Sequence, residues 1–192
     1  MNSIKQQNEG FTGLEAAIVL IAFVVVAAVF SYVVLGAGFF TTQKSQETVY
    51  KGVEQSTSNL QMVGNVYGTT FNTALGIKNI SFNIGLAPGA PALDISKMIV
   101  VVSKPGSTTV SQLVYTATTP VAGTSFSAVD ASISATSPTL QGQNQTIITI
   151  GLDDNYMPKN GQVSIQLSPA VGASLPFTRT APATISNSQI LY

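Results

Sequence analysis

The sequence predicts an α+β protein, one long apolar N-terminal helix followed by an antiparallel β-sandwich or barrel. Three observations carry this reading. No charged residue lies between Glu15 and Lys44. Short β-branched runs separated by Gly, Pro, Ser and Thr fill the chain from Leu75 onward. Cys and His are absent from all 192 residues, so neither disulfides nor a metal held by thiolate or imidazole organises the fold.

The uncharged stretch covers residues 16–43. As a helix it spans roughly 42 Å at about 1.5 Å per residue, more than the ~30 Å hydrocarbon core of a bilayer. A polar leader, MNSIKQQNEG, precedes it. A conventional secretory signal has a basic start, a shorter apolar run and small residues at its cut. Here the apolar run is longer and the leader carries Lys5 and Glu9. A cut at Gly36-Ala37-Gly38 and a plain transmembrane anchor are the two simple alternatives.

Glu15 weighs against a simple anchor. It lies one turn from Phe11, on the same helical face, and an unpaired carboxylate beside a membrane-length apolar run is costly. A cut after Gly10 would give Phe11 a free ammonium group for Glu15 to pair with, in its own chain or a neighbour. A carboxylate in the first turn also complements the positive end of the helix dipole.

Gly10, Phe11 and Glu15, with the apolar helix behind them, resemble the class III signal of type IV pilin-like proteins. The run FTGLEAAIVLIAFVVVAAVFSYVVLGAG is similar to the N-terminus of archaellins, the archaeal flagellins. Glu9 stands before Gly10, where that family often has a basic residue. The resemblance implies that a prepilin-type signal peptidase cuts after Gly10 and that the precursor is inserted in the membrane. The mature helices would then form the core of an extracellular filament, with Phe11 and Glu15 as assembly residues.

The helix is expected to continue past Phe40. Val49, Val53, Leu60 and Val63 keep near one helical face, and Glu47 and Lys51 form a favourable i,i+4 pair. Gly36, Gly38 and Gly52 read as small residues in a crowded helix interface. The helix should fade near Gly64 or Gly68. The expected division is residues 1–10 as the cleaved signal, 11–68 as the assembly helix and 69–192 as the β-domain.

Ile80, Phe82, Ile84 and Leu86 alternate onto one strand face. Met98 to Val102 are five consecutive apolar residues, which suits a strand covered on both faces. Leu113, Tyr115 and Ala117 share a face. Further strands are expected over 125–133, 146–152, 163–167, 175–179 and 185–192. Strands this short and close indicate a sandwich or barrel. The archaellin resemblance implies an immunoglobulin-like sandwich.

Charged residues make up 8% of the chain and the net charge is zero, so no nucleic-acid-binding surface is expected. No base accompanies the plentiful Ser and Thr, no phosphate loop occurs and no carboxylate pair can be set across a cleft. Neither enzyme activity nor a cofactor is expected. Two acceptor patterns for N-glycosylation occur, Asn79-Ile80-Ser81 and Asn144-Gln145-Thr146. Asp153-Asp154-Asn155 offers oxygen ligands for a hard cation, but a tight turn capped by these side chains is the preferred reading.

The function expected from the resemblance is a structural subunit of the archaeal swimming filament, as a homopolymer or with related archaellins. The alternatives are a subunit of a non-motile adhesion pilus and a membrane-anchored surface protein that binds a ligand or acts as an enzyme.

Overall fold

The computed structural model describes the backbone of residues 2–192 and the side chains of residues 12–192. It divides into two compact units, 1–51 and 52–192.

Helix α1 runs over Asn2–Thr57, roughly 84 Å at 1.5 Å per residue. From Ile18 to Leu35 every position except Ser31 is apolar, so the apolar surface runs all round the helix instead of forming one stripe. Such a helix belongs inside a membrane or a large assembly. Polar groups in its second half are satisfied locally. The hydroxyls of Thr41 and Thr42 donate to the carbonyls of Ala37 and Gly38 at 2.8 and 2.9 Å. Glu47 bridges Lys44 and Lys51 at 2.7 and 2.8 Å, which confirms the expected i,i+4 pair and adds an i,i+3 one.

The helix ends earlier than the spacing of Val49, Val53, Leu60 and Val63 suggests. Ser58 and Leu60 are buried, and Asn59 bridges to Ala173. Residues Leu60–Thr69 form a strand, β1, instead of a last helical turn. Gly64, at φ +79°, takes up a register shift between Val63 and Tyr67 where β1 pairs with its neighbour. Pairing with distant strands outweighs the local helical spacing.

The other strands are β2 Asn79–Leu86, β3 Leu93–Asp94, β4 Ile99–Ser103, β5 Val110–Thr116, β6 Ser125–Asp130, β7 Thr139–Leu140, β8 Gln145–Gly151, β9 Gln162–Ser168, β10 Leu175–Thr180 and β11 Ser188–Leu191. Nine of them form one sheet in the order β10-β9-β4-β5-β6-β8-β2-β1-β11, while β3 pairs with β7. Strand β5 joins the two halves: Val110 to Leu113 pair with β4, and Val114 to Thr116 pair with β6. The β5–β6 pairing is parallel, a departure from the expected all-antiparallel sheet.

The sheet folds over itself around this joint. Phe82 on β2 meets Phe177 on β10 edge-on at 5.1 Å, although five strands separate β2 from β10 in the sheet order. The outermost strands also meet, because Thr180 and Tyr192 exchange backbone hydrogen bonds of 2.6 and 3.2 Å. The buried side chains between the layers include Ile80, Phe82, Ile84, Phe126, Ile148 and Ile165. Each large apolar side chain removed from water contributes about 1.5–3 kcal/mol.

The expected alternation holds for β2 and β9: Ile80, Phe82 and Ile84 point inward, as do Val163, Ile165 and Leu167. The expectation of two covered faces fails for 98–102. Val100 and Val102 are buried, but Ile99 is 41% exposed, so β4 has one covered face and not two.

Candidate assembly surface and modification sites

The apolar side chains of α1 are exposed in the single chain. Phe23 is 73% exposed and Phe30 69%. Among the described residues this is one helix long and apolar enough to cross a membrane. Its surface is not smooth. Gly38 lies in a shallow groove lined also by Phe30, Val34, Leu35 and Phe39. A Cβ built on Gly36 or Gly38 meets no atom within 4 Å, so neither glycine is required by the single chain. What they permit is close approach by another helix.

Glu15 is exposed on the first turns of the apolar segment. Backbone helix runs unbroken through residues 10 and 11, but the side chain of Phe11 lies outside the described residues, as does everything about Gly10 beyond its backbone. The expected Phe11–Glu15 pair is therefore not visible here.

The two glycosylation patterns lie in different settings. Asn79 is half-buried at the start of β2, opposite Thr69 on β1 and Gly151 on β8. Asn144 is exposed and closes a turn, its N–H donating to the Gln141 carbonyl at 3.1 Å. Nearby Asp130 accepts from the Ser132 N–H and hydroxyl at 2.8 and 2.6 Å, and its carboxyl is held below the usual aspartate range. The Ser132 hydroxyl is the main cause, with its backbone N–H and Asn144 adding to it. Asp130 ties together this corner of the domain through Ser132.

Asp153, Asp154 and Asn155 form a turn: the Tyr156 N–H donates to the Asp153 carbonyl at 3.1 Å, and Asn155 has φ +59°. Asp154 pairs with Lys78, while the Asp153 carboxylate packs against Gly123. No group of three acidic ligands forms among the described residues.

Two features escaped the sequence. Arg179 lies 5.5 Å from the Phe177 ring and contacts the Met62 sulfur at 3.4 Å. The 169–174 loop packs backbone to backbone against Ser58 through Gly172.

An archaeal-type flagellin family model matches residues 10–179. The chain belongs to that family. This archaeal flagellin is 37% identical over 195 residues to probable flagellin 1 of Archaeoglobus fulgidus, covering 97% of this chain and 96% of that protein. It is 91% identical to the 24 kDa flagellin of Methanospirillum hungatei over 32 residues, 17% of this chain and all of that sequence. In structure it is similar to the archaeal flagellum of Methanospirillum hungatei, with TM-score 0.72 and 36% identity over 94% of this chain and 99% of that one.

Proposed function

We infer that this chain is the structural subunit of an archaeal flagellar filament, an extracellular appendage that serves swimming. The observation that carries this is α1, a helix apolar on every side whose side chains stand exposed. Out of a membrane, such a surface is stable only when packed against copies of itself. The mechanism is polymerisation; the subunit has no catalytic role, and rotation is driven by other proteins.

The finer steps rest on sequence and chemistry. The precursor lies in the membrane through α1, and a prepilin-type peptidase cuts after Gly10. Phe11 becomes the mature N-terminus, and its ammonium pairs with Glu15 during assembly. The assembled polymer contains this subunit alone or with related flagellins. Asn79 and Asn144 are proposed as sugar acceptors.

Shearing cells without detergent tests the central reading. A filament subunit is released as long polymers that rotate when tethered, and its N-terminal peptide begins at Phe11. Recovery of the chain only in detergent extracts of the membrane would overturn it.

A further inference from the structure

Thr146, the third residue of the pattern at Asn144, is 1% exposed, and its Oγ1 has no hydrogen-bond partner. It pairs with Asp130 on β6 and with Ile84 on β2, inside the finished sheet. The next residues on the same face of β8, Ile148 and Ile150, are buried and apolar. A buried, unpartnered hydroxyl costs a fold. Valine has nearly the same shape and no such group.

A residue that breaks a packing rule without helping the fold points to a function elsewhere. The hydroxyl at this position is what separates an acceptor pattern from an ordinary Asn. In the folded chain that hydroxyl is out of reach. The other acceptor is withdrawn differently, at the Asn itself: Asn79 is half-buried between two paired strands, and Ile80 beside it is fully buried.

We propose that Thr146 is retained for a step before folding: sugar is attached to Asn144 while the chain is open, and pairing of β6, β8 and β2 then closes the acceptor. The inference rests on the reading of Asn144 as a sugar-bearing residue and adds when the transfer occurs. The donor is a membrane lipid diphosphate carrying an oligosaccharide. A bond forms between Asn144 Nδ2 and C1 of the first sugar as the bond from C1 to the phosphate oxygen breaks. The lipid diphosphate leaves with the electron pair, and one Nδ2 proton passes to a base. Asn144 is exposed, which leaves room for the sugar in the same turn.

The test uses the full chain in detergent, made in cells without a transferase. Membranes carrying an archaeal oligosaccharyl transferase and a lipid-diphosphate-linked disaccharide of N-acetylglucosamine receive either folded chain or chain freshly diluted from urea. The mass of the Asn144 peptide is then read. Sugar on the diluted chain and none on the folded chain is the expected result. Equal transfer to both overturns the order but keeps Asn144 as an acceptor. Sugar on neither, with none on Asn144 of native filaments, overturns both readings. Thr146→Val should lose the sugar while the unmodified variant melts no lower than unmodified wild type. A lower melting temperature would show that the hydroxyl serves the fold, and the proposal would fail.

Discussion

Gly172 passes so close to Ser58 that a Cβ on it would lie 1.7 Å from the Ser58 carbonyl oxygen. The position also has φ +107°, which side chains rarely adopt. Gly172→Ala therefore has to move either the 169–174 loop or the residues that leave α1. The backbone strain alone costs about 1–3 kcal/mol, and the collision adds to it. Thermal melting of the full chain in detergent should show a clear loss of stability. Gly89→Ala, with positive φ but open space around it, should cost less.

That contact also marks the limit of what sequence can reveal. The apolar helix and strands such as β2 and β9 were legible because their signals are local: an unbroken apolar run, and alternation with period two. Strand β1 was read as helix because Leu60 and Val63 continue the helical spacing of Val49 and Val53. Its true state depends on β2 and β11, more than a loop away. The parallel β5–β6 pair and the Gly172–Ser58 approach are contacts between distant segments, and no local pattern carries them. In the candidate sites, Glu15 was legible as the lone carboxylate at the head of an apolar run. The burial of Thr146 was available from its alternation with Ile148 and Ile150, whereas its missing partner was not.

The register of β9 gives a paired test. Ile165 is fully buried and Gln166 is exposed. Ile165→Ala should destabilise the β-domain by about 2–5 kcal/mol. Gln166→Ala should cost far less. Similar losses in thermal melts would show that the strand faces are assigned wrongly.

Asp130 predicts a dependence on acid. Its folded carboxyl titrates below the ordinary aspartate value of 3.8, chiefly because the Ser132 hydroxyl bonds the charged form. A depressed folded value stabilises the fold above 3.8, and that contribution disappears as pH falls through the lower, folded value. Melting temperatures measured from neutral pH down to acid should therefore drop less steeply for Asp130→Asn than for wild type below about pH 4. Parallel curves would mean that the hydrogen bonds around Asp130 do not discriminate its charged form.

Glu15 should affect assembly more than processing. The charge is costly next to an apolar run unless it is paired, and the Phe11 ammonium exists only after the cut. Removing one member of a buried ion pair costs about 3–5 kcal/mol. Glu15→Ala is expected to mature at Phe11 yet give few filaments by electron microscopy. Glu15→Gln should be intermediate, because it keeps a hydrogen-bonding group without the charge. A normal filament yield from Glu15→Ala would leave the carboxylate as a solvated residue at the start of the helix.

Gly38 separates the needs of the single helix from those of the polymer. Glycine within a helix is about 0.8–1.0 kcal/mol less favourable than alanine, and nothing within 4 Å of the Gly38 Cβ position in the single chain requires its absence. Helix stability alone would favour substitution. In a packed array, though, the groove between Phe30 and Phe39 can receive a side chain from a neighbour, and Leu at 38 would fill it. Gly38→Leu should raise helicity of the subunit in detergent while lowering filament yield, with Gly38→Ala retaining more filaments than Gly38→Leu. Circular dichroism of the detergent-solubilised subunit and counts of sheared filaments read the two effects separately. If Gly38→Leu forms filaments as well as wild type, the groove takes no neighbour, and the glycine is then a tolerated weakness of the helix.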